Sequence, residues 1–374
     1  MNASSIFKEL EIHYNSRLPF VAYHKPNSAT VKAYLQDTEE LHYIKDFSEK
    51  GFIMSPFDDS HKTIILPEAE CRLIQENLDE IDFEILENSF SDSITLESLQ
   101  ERGRYLELIS NTIEYIKNSA VEKIVLSRVE VVPLKSDDIF FIYKRLLKIH
   151  PSAFVYICYH PSFGVWLGAS PERFLNIERN RLRTVALAGT KNSEAIEWTS
   201  KEFREQQLVT DFLVESLKDF VIEVETEKVQ TVKAGNLFHL KTAVSGKLKN
   251  KDSELQKIIQ KLHPTPAVCG VPRDLAKKFI FENENYNREF YTGFLGELNL
   301  STSKNRKTVR RNIENRAFFT DTFQTDLYVN LRCMKIVDGN ASIFVGGGIT
   351  SESIPENEWQ ETINKTRTIK NVLG

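Results

Sequence analysis

Glu361 and Lys365 lie four residues apart in EWQETINK, one turn apart on one face of a helix. Taken alone they form a surface Glu–Lys pair worth ~0.2–0.5 kcal/mol. Glu205 sits in a second helix-forming stretch, EFREQQLVTD, and it too reads as a surface residue, because Glu is a strong helix former and rarely buried. Arg332 is less ordinary. It interrupts the strand-like apolar run LYVNLRCMKI, and an arginine there needs a partner. Its planar fork suits bidentate capture of a carboxylate. Gly346, Gly347 and Gly348 end the run FVGGGI, where a turn, a bulge or a close backbone approach is expected. Lys123 opens EKIVLSR, and Glu172 follows Ser170-Pro171 in GASPERF, a turn able to aim its carboxyl out of the strand. His239 in LFHLKT and His263 in LHPTP are the histidines in such segments. Carboxylates with lysines and an arginine suit a hard cation and an anionic substrate. No His/Cys cluster competes for a softer metal.

These residues need strands and helices to hold them. EKIVLSRVEVVPL is a strand by its β-branched density, ended by Pro133. AFVYICYH, GVWLGAS, RFLNIE and RLRTVALAG follow as short strands joined by turns. TSKEFREQQLVTDFLVESLKDFV is a long helix capped by Thr199 or Ser200, with Phe203, Phe212, Leu213, Leu217 and Phe220 expected on its buried side. Upstream, Tyr105, Leu108, Ile109, Ile113 and Ile116 recur at helical spacing. The pattern predicts an α/β protein, a mixed sheet layered with helices. A soft boundary falls near residues 92–100, separating an N-terminal part, 1–98, from a larger part, 99–374.

Composition narrows the classes. A chain of 374 residues with 41% hydrophobic content can bury a sizeable core. A formal charge of −5 argues against a nucleic-acid binder. No stretch approaches the ~18–20 apolar residues of a membrane span, and the start lacks the pattern of a signal peptide. The four cysteines are too widely spaced for a zinc site, and a cytoplasmic, reduced protein is expected.

The segments EKIVLSR, GASPERF, ALAGTK, EFREQQLVTDFL, HLKTAVSG, LHPTPAVCGVPRDLA, YNREFYTGFLGELN, LYVNLRCMKI, IFVGGGI and EWQETINKTRTI occur in that order. Together they resemble the chorismate-utilising enzymes, isochorismate synthase most closely, over residues 100 to 374. The resemblance implies the fold of anthranilate synthase component I, with largely antiparallel sheets, and residues 1–98 completing it. It implies Mg²⁺ held by Glu205 and Glu361. Lys365 and the backbone of Gly346 and Gly347 would meet the ring carboxylate of chorismate, and Arg332 and Tyr291 its enolpyruvyl carboxylate. Gly189, Thr190 and His239 would line the same pocket. Lys123 would take a proton from water while Glu172 protonates the leaving hydroxyl, so both must be neutral at working pH.

The same resemblance separates sibling activities. Related anthranilate synthases carry glutamine in place of Lys123, and aminodeoxychorismate synthases carry a lysine where this chain has Ala188. Salicylate synthases tend to have threonine where this chain has Ala267, so the expected product is isochorismate, with salicylate formation as the alternative. The family implies a monomer without a glutamine amidotransferase subunit, and a product used for menaquinone or a siderophore. One segment departs from the pattern: LNLSTSKNRKTVRRNIENRAFFTDTFQTD is much longer than the hairpin turn expected there, and its basic stretch Lys304 to Arg311 reads as a solvated loop.

Overall fold

The computed structural model describes residues 5–81, 83, 96–135, 138–191, 193–234, 237–250, 254–302 and 322–373. The basic stretch Lys304 to Arg311 and the 92–95 connector lie outside them.

Among the described residues, two large antiparallel sheets form. One has nine strands and runs, edge to edge, from Gly270–Val271 through Lys123–Pro133, Asn340–Ile349, Cys333–Val337, Gly164–Ser170, Phe154–His160, Phe20–His24 and Thr30–Gln36 to Cys71–Asn77. The other has ten; its centre runs Leu237–Lys247, Arg181–Lys191, Arg173–Glu178, Thr322–Val329, Phe294–Thr302, Gly51–Ser55. Strands from the first hundred residues join both sheets: Phe20–His24 pairs with Phe154–His160, and Gly51–Ser55 with Phe294–Thr302.

The sheets stack because the strands between them are apolar on both sides. In Phe154–His160, Phe154, Tyr156 and Cys158 face the inter-sheet cluster with Tyr23, Phe52, Trp166 and Tyr328. The alternate residues Val155, Ile157 and Tyr159 face an outer cluster built with the helices Ile6–Asn15 and Ile139–Ile149. A third cluster seats the helix Ser200–Leu217 on the ten-stranded sheet. The fourth joins Tyr105, Ile109 and Ile116 of the helix Leu96–Lys117 to the back of the Lys123 strand, in line with the predicted spacing. The result is helices outside and two sheets inside. Buried Cys158, Cys269 and Cys333 are free thiols inside this packing.

One polar network crosses the apolar interior. Lys25 meets Glu297 at 2.6 Å and Asp326 at 3.1 Å, and Lys32 meets Glu297 at 3.2 Å. Tyr23 donates to Glu297 at 2.7 Å, and Arg173 lies 3.0 Å from Asp326. Each buried carboxylate therefore has cationic partners, which such burial requires.

The helix Ser200–Leu217 begins with a capping box: the Thr199 hydroxyl accepts from the Lys201 amide, and Glu202 accepts from the Thr199 amide at 2.8 Å. Its predicted buried face needs one correction. Phe203 is 45% exposed, and the inward positions are Gln206, Val209, Thr210, Leu213, Ser216 and Leu217. Gln206 donates to the Ala186 carbonyl and the Thr242 hydroxyl, both at 3.1 Å, so a polar side chain fixes the rotation of this helix.

Candidate active site

The two helices that carry the predicted carboxylates converge on one cavity of ≈ 140 Å³, bordered by the glycine-bearing strand Asn340–Ile349. Glu205 reaches it from the helix Ser200–Leu217. From Pro355–Lys370 come Glu358, Glu361, Lys365 and Ile369, spaced three, four and four residues apart along one face. Glu172, Ala188, Gly189, Thr190 and His239 also line it, with Gly189 packed against Glu202 of the Glu205 helix. Ala267, Tyr291, Arg332 and the three glycines complete the lining.

Lys123 is placed differently. It is 1% exposed and stands behind the lining, its ammonium 2.7 Å from the Glu205 carboxylate. His263 is outside the cavity altogether. It lies between Phe174 and Phe294, shares a 3.2 Å hydrogen bond with the Pro56 carbonyl, and has its pKa lowered to about 4, chiefly by burial.

Of the alternatives the sequence left open, the close approach holds and the glycines form no turn. Gly346, Gly347 and Gly348 continue the strand in register with Ser127, Leu126 and Val125. The neighbouring strand on the other side stops pairing at Ile343, which leaves that edge open to the cavity. Lys365 donates to the Gly346 carbonyl there at 2.9 Å. Glycine is required by close approach: a Cβ on Gly346 would stand 2.5 Å from the Leu126 carbonyl oxygen and 3.0 Å from the Tyr291 hydroxyl. Gly346→Ala is therefore expected to lower unfolding stability by about 1–3 kcal/mol, read as a shift in denaturant midpoint; an unchanged midpoint would refute this packing.

Three lysines answer three glutamates. Besides Lys123–Glu205, Lys365 meets Glu361 at 2.6 Å and Lys201 meets Glu358 at 3.0 Å. Sequence reasoning missed Lys201 and Glu358, although each precedes a chosen glutamate by one helical turn (201 before 205, 358 before 361). Burial pushes the Glu205 carboxyl up, but Lys123 above all, with Lys365 and Lys201, outweighs it and holds the pKa below the usual range. Glu358 goes the other way, raised by burial and then by the charge of Glu361.

Glu172 has no such partner. It is 4% exposed, and among the described residues its carboxyl meets no hydrogen-bond donor. Its backbone is pinned: Ser170 Oγ accepts from the Glu172 amide at 3.3 Å, and the Glu172 carbonyl accepts from the Val329 amide at 3.0 Å. Burial raises its pKa to about 8, against the opposing pull of Lys123 and Lys365. A carboxyl in that state is a proton donor at neutral pH.

Arg332 sits in a tight backbone turn with φ 49°, and its carbonyl accepts from the Ala169 amide at 3.1 Å. It donates to His239 Nε2 at 3.3 Å, while His239 Nδ1 donates to the Gly189 carbonyl at 2.9 Å. Burial first, then Arg332 and Lys365, lower the His239 pKa to about 3, so the ring is neutral. Burial also lowers Arg332 to about 10, leaving it cationic at neutral pH.

The cavity thus offers carboxylate oxygens for a hard cation, an arginine and a lysine for anions, and one neutral carboxyl. Among the described residues no group of three or more His, Cys, Asp or Glu is arranged to cage a metal. The donor set still suits Mg²⁺, which is commonly held by one or two carboxylates with water and an anionic substrate. Among the described residues no helix is long and apolar enough to cross a membrane.

Two family models, both described as chorismate binding enzyme, match residues 60–304 and 317–371. The first begins inside the N-terminal part, 1–98, ahead of the segments that carry the resemblance from residue 100 onward. Isochorismate synthase EntC of Escherichia coli is 26% identical over 291 residues, covering 74% of this chain and 69% of that protein. A crystal structure described as a putative 2,3-dihydroxybenzoate-specific isochorismate synthase, DhbC, from Bacillus anthracis aligns with a TM-score of 0.75 at 22% identity, covering 98% of this chain and 99% of that one. Anthranilate synthase component I from Streptococcus pneumoniae aligns with a TM-score of 0.65 at 17% identity, covering 95% and 92%. At these identities the two structures speak to the fold alone, which is that of anthranilate synthase component I, as expected.

Proposed function

The chain belongs to the chorismate-binding enzyme family, and from that premise we propose that it is an isochorismate synthase, a Mg²⁺-dependent isomerase of chorismate. The observation that carries this reading is Glu172, a buried carboxyl kept protonated to about pH 8 in the cavity that Glu205, paired with Lys123, also lines. The names of the sequence relatives support it.

Arg332 and Tyr291, both on the cavity wall, bind the enolpyruvyl carboxylate, and Lys365 with the edge of the glycine strand binds the ring carboxylate. Glu205 and Glu361 would hold Mg²⁺, with Glu358 adjoining; when bound, the ion would supply positive charge for an anionic substrate. Lys123 takes a proton from the water that attacks C2. Both ring double bonds shift, C1=C2 to C1=C6 and C5=C6 to C4=C5, the C4–oxygen bond breaks, and the hydroxyl leaves with the proton of Glu172. One water enters and one leaves, so substrate and product have equal mass. Fixing both anionic ends sets the ring between base and acid, which supplies much of the rate gain.

Ala188 and Ala267 on the cavity wall favour isochorismate over aminated products and salicylate. Incubation with chorismate and Mg²⁺, followed by chromatography, is expected to yield isochorismate, with no pyruvate detected by coupled lactate dehydrogenase and no turnover in EDTA. Stoichiometric pyruvate would make the protein a salicylate synthase; full activity in EDTA would remove the metal from the scheme.

A further inference from the structure

We infer that the buried ion pair Glu284–Arg288, outside the cavity, is a positioning device that holds three separate walls of the active site in register. Arg288 is 3% exposed. Its Nε and one terminal nitrogen donate to Glu284 at 2.7 and 2.5 Å. The same terminal nitrogen donates to the Val125 carbonyl at 2.7 Å. The other donates to the Val268 carbonyl at 3.1 Å and to the Thr292 hydroxyl at 3.3 Å. Val125, Val268 and Thr292 all line the cavity, whereas Glu284 and Arg288 do not. Glu284 in turn accepts from the Ser127 amide and hydroxyl, each at 2.8 Å. The pair therefore grips the strand that begins with Lys123, the segment beside Ala267, and the segment of Tyr291.

Backbone strain supports this independently. Glu289 (φ 48°) and Thr292 (φ 61°) are non-glycine residues in the left-handed region, a state that persists where the surroundings over-determine it. That segment also exchanges backbone hydrogen bonds with Asn330, at 2.9 Å from Thr292 and 2.8 Å to Gly293, two residues before Arg332. An arginine is needed because its planar fork meets several acceptors at once, which a lysine's single ammonium cannot do in the same geometry.

Arg288→Lys and Glu284→Gln keep size and polarity but break the fork. Hydrogen exchange of the whole chain is expected to speed up at least about tenfold, together, in residues 123–129, 265–271 and 288–293, while Phe154–His160 stays as in the wild type. Ser127→Ala, which removes one bond to Glu284 and leaves the arginine intact, is expected to give a smaller effect in the same segments. The kcat on chorismate should fall about 10–100-fold in the first two variants. Faster exchange confined to 284–292, or spread evenly over the chain, would overturn the proposal. The activity arm rests on the isochorismate synthase reading and the exchange arm does not: wild-type protein inert toward chorismate would sink that reading alone.

Discussion

Glu172→Gln is expected to lower chorismate turnover by about 10²–10⁴-fold while making the protein more stable at neutral pH. The two effects share one cause. In the folded protein burial holds this carboxyl protonated to about pH 8, against an ordinary value of 4.5. The stabilisation tied to the proton is complete below the ordinary value, shrinks as the pH rises, and is gone once the pH passes about 8. At pH 7 the loss is on the order of 3 kcal/mol, and glutamine, neutral throughout, escapes it. Denaturant unfolding of both proteins at pH 5 and at pH 7.5 should show the variant's advantage growing with pH. Wild-type turnover should fall as the pH rises through about 8, because the donor is then lost. A variant with near-normal rate, or an advantage that does not grow, would remove Glu172 from the acid role.

Lys123→Ala should abolish turnover to a similar degree, about 10²–10⁴-fold, with the opposite sign for stability. Its removal strands the Glu205 carboxylate 2.7 Å away, in a site where burial already works against the charge. Breaking a buried pair from one side costs about 3–5 kcal/mol, and the opening of Glu205 toward the cavity puts this case at the low end. Adding Glu205→Gln should recover part of the loss, giving a coupling of about 0.5–3 kcal/mol in a double-mutant cycle. Strictly additive single effects would mean that the pair does not act as one unit. Loss of activity with gained stability at one residue, and with lost stability at the other, is a signature that general damage to the fold would not produce.

The fold and the site were legible in the sequence to different degrees. Helix spacing found the buried side of Leu96–Lys117 because apolar residues there recur with the helical period. It failed at Phe203, because Gln206 rather than an aromatic fixes the rotation of that helix through the Ala186 carbonyl and the Thr242 hydroxyl. The glycines of FVGGGI announced a close approach, but composition could not tell a turn from a strand whose neighbour ends early. Glu205, Glu361 and Lys365 read alone as surface residues, and only the order of the surrounding segments suggested that they meet. Lys201 and Glu358 lay one turn from residues already chosen; an electrostatic argument that each buried carboxylate needs a cation would have found them. Arg288 drew no notice, since its importance comes from carbonyl groups that no sequence pattern marks.

The charged bridge across the interior makes the first strands hard to dispense with. Lys25 and Lys32 arise before residue 40, yet their partners Glu297 and Asp326 belong to hairpins near the other end of the chain. Excising the first ninety-eight residues would take both lysines from Glu297, leave Asp326 with Arg173 alone, and bare the flanks of Phe154–His160 and Phe294–Thr302. Such a fragment would hold every residue proposed for catalysis and still lack the counter-charges that let its halves close.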